Sequence, residues 1–310
     1  MDIRDAFFND VYQRAIDDER IVFLTADADA FVLKRFKEDM PDRFINVGVA
    51  EQNAILVATG LAFAGYRPYV YSITPFMTMR CYEQIKVNIC SHNLPVTLVG
   101  LGAGLSFGFD GPTHHAMHDI GIMKMLPEMD IYNTSDSVTA ITSNQLSYES
   151  ERPSYIRVDK GDYTMVDGGS LVGDGIRRFG YGNSVHIYTT GTILHSVLSV
   201  VNGLGGVSPS HVGMSVFDVF KLKDLDIHTI RKSSIASRVL IIDEHSVVGG
   251  LIDSIKSALS DFSPNVSWMG LPHKQISEYG DRQWLLSKYR LDEDEIRRNI
   301  TYLLAEGSSL

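Results

Sequence analysis

The sequence predicts an α/β protein of two doubly wound domains, and three observations support this fold class. The chain has 310 residues, a length typical of two domains. Short apolar runs of strand type alternate with stretches of helical periodicity, which favours mostly parallel sheets covered by helices on both faces. A glycine-rich stretch interrupts this alternation, which then restarts. We therefore expect a first domain at residues 1–162, a linker at 163–182 with room for a hairpin, and a second domain at 183–310.

The first domain opens with a helix, because Phe7, Phe8, Val11, Ala15 and Ile16 recur at helical spacing. The predicted elements that follow are the strand IVFLTAD, the helix NAILVATGLAFAG (buried on most faces), the strand RPYVYSI, the amphipathic helix MRCYEQIKVNICSH, the strand LPVTLVGL, the helix DIGIMKMLP, the strand MDIYNTS, the helix DSVTAITSNQLSYE and the strand PSYIRVD. The second domain contains the strand SVHIYTTG, the helix TILHSVLSVVNGL, the strands SHVGMSVFDV and RVLIIDEH, the helix GGLIDSIKSALSD, the strand NVSWMGL and the helix DEDEIRRNITYLLAE.

The composition argues against several classes of function. Hydrophobic residues make up 44% of the chain and charged residues 21%, as in an ordinary globular protein, and the net charge of −10 argues against a nucleic-acid partner. The only cysteines, Cys81 and Cys90, favour a reducing compartment. The charged N-terminus is unlike a secretory signal, and no apolar run has the length of a membrane span. We expect a cytoplasmic protein without a membrane partner.

Two patterns imitate known ligand sites. GLGAGLSFG follows a strand, but a proline and no helical period come after it, so a loop that approaches a ligand is favoured over a dinucleotide fingerprint. THHAMHD offers three histidines and an aspartate to a metal, with His114 and His118 on one helical face. The proline before them places the first histidine in a loop, so we expect no metal site here.

Two longer stretches are more specific. PDRFINVGVAEQNAILVATGLAFAGYRP places a lone acid, Glu51, at the start of an apolar helix, and FGFDGPTHHAMHDIGIMKMLPEM follows later in the chain. Together with MRCYEQIK, IIDEHSVVGGL and MGLPHKQISEYG, these stretches resemble the pyrimidine-binding and C-terminal domains of transketolases and of deoxyxylulose-5-phosphate synthases. The resemblance runs from near Asp27 to the end of the sequence. It implies a thiamine-diphosphate pyrimidine-binding domain followed by a transketolase C-terminal-like domain.

The resemblance also implies a partner chain. Full-length family members begin with a further domain that binds the diphosphate and Mg²⁺, whereas this sequence starts almost at the pyrimidine domain. We therefore expect a split transketolase in which a separate diphosphate-binding subunit completes the site, in an α2β2 heterotetramer. Gly173-Asp174-Gly175 and Asn202 have the spacing of the family's Mg²⁺-diphosphate motif, but the triplet lies in the predicted linker. Coincidence is favoured, and no metal ligand is assigned to this chain.

Glu51 matches the glutamate that activates the cofactor in this family by hydrogen-bonding N1′ of the pyrimidine ring. Sharing a proton there favours the imino form of the exocyclic nitrogen, which then takes the proton from C2 of the cofactor. The apolar residues of AILVATGLAFAG favour the protonated form of such a carboxyl. The alternative is a simple N-terminal acid stabilised by the helix dipole.

The resemblance assigns three more residues to the cofactor. Phe76 matches an aromatic residue that stacks on the pyrimidine, and Ile73 stands where the family often has a second phenylalanine. Core packing is the alternative for both. Asp27 matches an acid near the cofactor, and a turn at the end of a strand would explain it equally well.

Four residues are implied in substrate binding. Asp110 and His114 match residues that contact hydroxyls of the donor ketose, and a histidine can shuttle a proton as the C2–C3 bond breaks. A surface loop is the alternative for this pair. Arg157 matches a phosphate-binding arginine, with a strand-end salt bridge as its alternative. Gly102 occupies the place of a family histidine.

Further departures concern the acceptor. Phe31 replaces a serine that often helps to hold a sugar phosphate, and Phe109 replaces an acid. We expect an acceptor that is bulkier or less charged than a pentose phosphate, as in unusual-sugar or secondary-metabolite pathways. The predicted activity is transfer of a two-carbon ketol unit from a ketose or ketose phosphate to an aldehyde. The β subunit of a 2-oxo-acid dehydrogenase and a non-catalytic structural subunit are the alternatives.

Overall fold

Two six-stranded sheets, each packed against helices, form the framework of the structure, a computed structural model that describes residues 2–28, 30–205, 213–234, 238–261 and 265–305. The first domain contains, in order, α1 (Ile3–Asp17), β1 (Ile21–Thr25), α2 (Leu33–Asp39), β2 (Phe44–Asn46), α3 (Glu51–Phe63), β3 (Arg67–Ile73), α4 (Thr74–Thr78), α5 (Tyr82–Gln84), β4 (Thr97–Leu101), α6 (Asp119–Lys124), β5 (Asp130–Asn133), α7 (Ser137–Ser150) and β6 (Ser154–Val158). The second contains β7 (Ser170–Gly173), β8 (Ile176–Phe179), β9 (Val185–Thr189), α8 (Ile193–Gly203), β10 (Met214–Val219), α9 (Ile227–Ser234), β11 (Arg238–Ser246), α10 (Leu251–Ala258), β12 (Val266–Leu271), α11 (Arg282–Lys288) and α12 (Glu293–Ala305).

The first sheet is parallel throughout, in the order β2-β1-β3-β4-β6-β5. All five residues of β1, β4 and β6 are buried, because helices cover both faces of the sheet. The predicted α/β class of two doubly wound domains is confirmed. Since the strands are parallel, their carboxyl ends lie along one edge of the sheet, where ligands bind in open α/β folds.

The second sheet has the order β12-β11-β9-β10-β8-β7, with β7 and β8 antiparallel to their neighbours. The hairpin within residues 163–182 is thus the edge of this sheet. That part of the predicted linker is not a free connection, because β8 pairs with β10 along four residues. Gly173-Asp174-Gly175 forms the turn of the hairpin, with Gly175 at φ +70° and Asp174 paired with Lys221. A turn explains this triplet without a ligand.

Two predicted helices differ from expectation. Helix α3 is not buried on most faces, because Leu56 and Phe63 are exposed on the side away from the sheet. The segment MRCYEQIKVNICSH is not one amphipathic helix: α5 is followed by a π-helical turn over Ile85–Ile89 and a 3₁₀ turn over Cys90–His92. A π turn brings residues five apart onto the same side, so that Ile85 and Cys90 both reach the core. None of the described helices is long and apolar enough to cross a membrane.

Backbone hydrogen bonds and a buried ion pair join the two domains. Residues 220–222 run beside β5, the edge of the first sheet, where Asn133 N donates to Phe220 O (2.9 Å) and Leu222 N donates to Ile131 O (2.8 Å). Arg282 binds Asp159 across the interface (2.8 Å), and also Glu244 of its own domain (2.7 Å). Buried apolar residues of both domains belong to one continuous cluster. The second domain therefore supports the loops of the first.

Candidate active site

Glu51 is the first residue of α3 and lies almost entirely out of solvent, with 3% of its surface exposed. The short strand β2 and a turn at Gly48, where φ is +71°, deliver the chain to this helix. Its carboxylate accepts a hydrogen bond from Nη1 of Arg80 at 2.9 Å. The buried acid predicted from the sequence is therefore present, and it is held by a cation that sequence reasoning did not identify.

Phe76 lies in α4, directly after the carboxyl end of β3, and is partly exposed. The guanidinium of Arg80 lies over its ring, 4.2 Å from the centroid. Behind it, Sγ of Cys81 donates to the carbonyl of Phe76 at 3.3 Å. Burial and, next, the negative charge of Glu51 raise the pKa of this thiol to about 12, so Cys81 is part of the wall of the site and not a nucleophile. Ile73 ends β3 at the same edge and is partly exposed.

The loop after β4 brings His114 to Phe76. The two rings are 4.9 Å apart in an edge-to-face arrangement, and the ring of Phe107 lies 5.9 Å from that of His114. Oγ1 of Thr113 is 3.0 Å from Nδ1 of His114, within hydrogen-bond distance. Beyond Phe107, Nζ of Lys160 lies 4.2 Å from the Phe107 centroid. We call Arg80, Phe76, His114, Phe107 and Lys160 the contact row.

The second domain fixes this loop from behind. Gly280 N donates to Gly108 O at 3.0 Å, and the ring of Tyr279 packs against Gly111, which has φ +73°. A Cβ at position 111 would meet that ring at 2.2 Å, so only glycine fits there. Asp110, in the same 3₁₀ turn, is exposed. The contact row includes His114 but not Asp110, whose exposed carboxylate is accessible to a ligand.

Gly102 leaves room for Phe107. It has φ +90°, and a Cβ there would lie 2.4 Å from the Phe107 ring. The space beside Gly102, which is predicted to match a family histidine, is filled by an aromatic ring from five residues further along the chain. Phe31 and Phe109 expose 71% and 74% of their surfaces, as expected of residues that do not belong to the core.

The structure argues against the substrate role predicted for Arg157. Only 1% of this residue is exposed, and its guanidinium binds Asp119 at 3.1 Å and Asn133 at 2.9 Å. A phosphate could reach it only if that buried network opened. Lys160 follows three residues later, past the end of β6, and is exposed beside Phe107. Lys160 is thus an exposed cation at the Phe107 end of the contact row.

Asp27 follows the end of β1 and adopts the left-handed region, with φ +58°. Its carboxylate accepts from Nδ2 of Asn46 at 3.3 Å, while Asn46 Oδ1 accepts from the Asp27 amide at 3.2 Å. A recess of about 270 Å³ beside it is lined by Lys34 and Lys37. These contacts are those of a turn, and they do not connect Asp27 to the contact row.

The three neighbouring histidines point to separate places. His114 contacts Phe76, Nδ1 of His115 lies 3.3 Å from Ile276 O, and His118 lies near His273, with ring centroids 6.5 Å apart. Over the described ranges no group of three or more His, Cys, Asp or Glu side chains is arranged to hold a metal.

Arg80, Phe107 and Lys160 were missed at the sequence level, and each had a signal. Lys160 lies two residues past the end of the strand β6. Arg80 lies two residues past α4, the short helix that follows the strand β3. Both are cations at the edge of the sheet where ligands bind. Phe107 is an aromatic residue inside a glycine-rich loop.

Comparisons with known proteins identify the family of this chain. Residues 1–165 match the family model "Transketolase, pyrimidine binding domain". The chain is 28% identical to a subunit of the apulose-4-phosphate transketolase of Phocaeicola vulgatus, over 94% of each protein. It is 29% identical to 6-deoxy-6-sulfo-D-fructose transketolase subunit SqwH of Clostridium sp. (strain MSTE9), over 96% of this chain and 92% of that protein.

The chain also resembles longer proteins and solved structures. It is 30% identical to 1-deoxy-D-xylulose-5-phosphate synthase of Caldanaerobacter subterraneus subsp. tengcongensis, over 96% of this chain and 48% of that protein. A structure described as a split gene transketolase, inactive beta4 tetramer, superposes with a TM-score of 0.82 at 26% identity and 98% coverage of both chains. Because the family model matches more than half of the chain, this protein belongs to the transketolase family and its residues 1–165 form a transketolase pyrimidine-binding domain.

Proposed function

We propose that this chain is the pyrimidine-binding subunit of a two-chain, thiamine-diphosphate-dependent transketolase that moves a two-carbon ketol unit from a ketose to an aldehyde. The observation that carries the proposal is the buried Glu51 at one end of a row of aromatic and cationic side chains that reaches the exposed Lys160 through His114. A transketolase needs such an arrangement, since the cofactor must be activated at one point and the sugar held at another.

The residues fit the pyrimidine end of the cofactor, which supplies the carbon nucleophile of the reaction when bound. Phe76 offers a partly exposed ring for stacking, and Glu51 offers a carboxylate oxygen that already accepts an N–H donor. Ile73 borders the same edge of the sheet. We assign the diphosphate and Mg²⁺ to the partner chain, following the division of contacts in the family.

His114 and Asp110 are assigned to the donor sugar. His114 is partly buried between two aromatic rings, and Thr113 lies within hydrogen-bond distance of one of its ring nitrogens. The other nitrogen can accept or return a hydroxyl proton as the sugar bond breaks. Asp110 is exposed in the same turn and can accept hydrogen bonds from a second hydroxyl.

Lys160 replaces Arg157 as the group that meets the charged end of a sugar. A lysine is a point charge on a flexible stem, so it can pair with either a phosphate or a sulfonate group. Gly102 and Phe109, which lie in the same loop as Phe107 and Asp110, make this loop less polar than expected for a pentose phosphate site. Relatives named for apulose 4-phosphate and for 6-deoxy-6-sulfo-D-fructose support a specialised sugar as the substrate of this chain.

Exposed apolar side chains along α3 and close in the chain to Glu51 and Arg80 support a partner subunit. Val49 precedes Glu51, Leu56 and Phe63 lie on the outer face of α3, and Met79 precedes Arg80. Apolar residues clustered in this way mark protein interfaces. We propose that the diphosphate-binding chain binds there, in an α2β2 assembly in the cytoplasm. The first domain ends at residue 162, and the second consists of the β7–β8 hairpin and residues 183–310.

The proposal is tested first by calorimetric titration of thiamine diphosphate with Mg²⁺, into this chain alone and then into a mixture with a candidate diphosphate-binding chain. We expect tight binding in the mixture only. Tight binding to this chain alone would contradict the divided site, and absence of binding in every mixture would contradict the assigned cofactor.

The variant Glu51→Gln should lower kcat about 100-fold or more, because an amide cannot share a proton with the pyrimidine. Glu83→Gln is the matched control, since Glu83 is an exposed acid in α5. Ketol transfer would be followed with xylulose 5-phosphate and with sulfonated and branched ketoses as donors. Unchanged turnover in Glu51→Gln would favour a silent subunit, and turnover of a 2-oxo acid with a lipoyl carrier would reassign the reaction.

A further inference from the structure

Arg80 makes both of the contacts assigned to the cofactor's pyrimidine ring. Its Nη1 donates to Oε2 of Glu51 at 2.9 Å, and its planar guanidinium lies 4.2 Å from the centroid of Phe76. A flat group that carries N–H donors thus lies over the assigned aromatic ring and hydrogen-bonds to the assigned acid at the same time. The aminopyrimidine of thiamine diphosphate shares these two properties.

Two planar groups cannot stack on the same face of one ring. The edge of Phe76 is already taken by His114, whose ring is inclined by 65° to it. A pyrimidine that stacks on the face of Phe76 covered by Arg80 and binds Oε2 of Glu51 therefore has to displace the guanidinium of Arg80. From this we infer that Arg80 is a built-in substitute for the pyrimidine, which occupies its two contacts and leaves when the cofactor binds.

The backbone of Arg80 is anchored by hydrogen bonds, whereas its side chain is exposed and makes the two contacts that a ligand would replace. The carbonyl of Arg80 accepts from Nε2 of Gln52 at 3.0 Å, and its amide donates to Pro75 O at 3.4 Å. The Arg80 side chain is 46% exposed, whereas that of Glu51 is 3% exposed. Exchange therefore requires a change of side-chain rotamer only, a motion of picoseconds to nanoseconds for an exposed residue.

The substitute has a physical reason. A buried carboxylate without a partner is costly, so the cation keeps Glu51 paired when the pyrimidine is elsewhere. An ion pair with one exposed partner and one cation–π contact is weak enough to be displaced by a ligand. The apparent affinity for the cofactor is the intrinsic affinity multiplied by the fraction of time that Arg80 leaves the site open.

The test is cofactor affinity, which needs no turnover, and it rests on the proposed function. Thiamine diphosphate with Mg²⁺ is titrated by calorimetry into the two-chain assembly carrying wild-type chain, Arg80→Ala or Arg80→Lys. We expect Arg80→Ala to bind about three- to tenfold more tightly than wild type, because the competitor is gone. Arg80→Lys, which keeps the charge and loses the flat group, should fall between them.

Arg35→Ala is the matched control. Arg35 lies over the Tyr12 ring, 4.3 Å from its centroid, in a similar cation–π contact outside the contact row. Loss of the Arg35 side chain should leave the cofactor affinity unchanged. A larger thermal shift on cofactor binding in Arg80→Ala than in wild type is the second readout. Equal or weaker binding by Arg80→Ala, with wild-type binding intact, would overturn this inference alone. Absence of binding by wild type would overturn the proposed function, and this inference with it.

Discussion

At the scale of single residues, position 102 accepts no side chain. Gly102 combines φ +90° with the ring of Phe107 at 2.4 Å from the place of a Cβ. We expect Gly102→Ala to lower the free energy of unfolding by about 3 kcal/mol, from left-handed strain and overpacking together. Urea unfolding measures this loss.

Gly168→Ala separates the two contributions. Gly168 has φ +84°, and no atom lies within 4 Å of the position that a Cβ would take there, so this variant carries the backbone strain alone and should cost about 1 kcal/mol. Equal losses in both variants would show that Phe107 yields freely, and that the ring does not fill the site as described.

Candidate site residues could be predicted where a sequence motif contains them, but the burial and the contacts of their side chains could not. Glu51 and His114 stand in stretches that resemble the family. The structure connects them through two residues: Glu51 binds Arg80, Arg80 lies over Phe76, and Phe76 contacts His114. For Arg157 the contacts favour the salt-bridge alternative over the phosphate role, which a motif alone could not decide because it fixes only the position along the chain. Its strand, SYIRV, is buried on both faces of a parallel sheet, and an arginine there has to be paired inside the protein.

At the scale of elements, the start of α7 is also an attachment between domains. Asp136 caps the helix by accepting from the Thr139 amide at 2.9 Å, and it binds Nη1 of Arg177 in β8 at 3.0 Å. Burial alone would raise the pKa of Asp136, but Arg177 and the hydrogen bonds from Thr139 and Val166 outweigh burial and hold it below its ordinary value.

Asp136→Ala should therefore lower the free energy of unfolding by far more than the loss of a helix cap alone would. We expect about 3–5 kcal/mol, because Arg177 is left buried with one partner fewer, and Asp136→Asn should cost less because asparagine still caps. Asp281→Ala is the control, since Asp281 caps α11 through the amides of Gln283 and Trp284 at the surface and should cost about 1 kcal/mol. Chemical denaturation of the three variants checks this, and similar losses in Asp136→Ala and Asp281→Ala would show that the contact with Arg177 adds nothing.

Long periodic elements were predictable and short ones were not. The helices α1, α3, α7, α8 and α12 have eleven or more residues, and their apolar spacing gave their positions. The three-residue strand β2 and the five-residue helix α4 are too short to show a period. Both nevertheless build the site, since β2 leads to Glu51 and α4 carries Phe76.

At the scale of the whole molecule, buried charge across the interface should make the two domains unfold together. Asp159 of the first domain is paired with Arg282 of the second, so separating the domains leaves charges without partners. Both tryptophans, Trp268 and Trp284, lie in the second domain. We expect urea transitions followed by tryptophan fluorescence and by far-ultraviolet circular dichroism to coincide, and two separate midpoints would contradict a single cooperative unit.

The same transition should depend on pH in the acid range. Burial opposes ionisation of Asp159, but Arg282 and hydrogen bonds from Ser106 and Thr192 outweigh it and hold the pKa of Asp159 below its ordinary value. Its stabilising effect is complete above the unfolded value of about 3.9 and is lost as the pH falls through the lower folded value. The midpoint should thus decline below about pH 4, and Arg282→Ala should weaken that decline.

The pairing of residues 220–222 with β5 also bears on how this protein can be divided. An uncovered edge strand offers unpaired backbone groups to any other strand that it meets. Expressed without the second domain, the first would present the edge of β5, including the amide of Asn133 and the carbonyl of Ile131, to its own copies. The fragment would be expected to aggregate where the full chain does not, so dissection at the boundary is a poor route to an isolated cofactor domain.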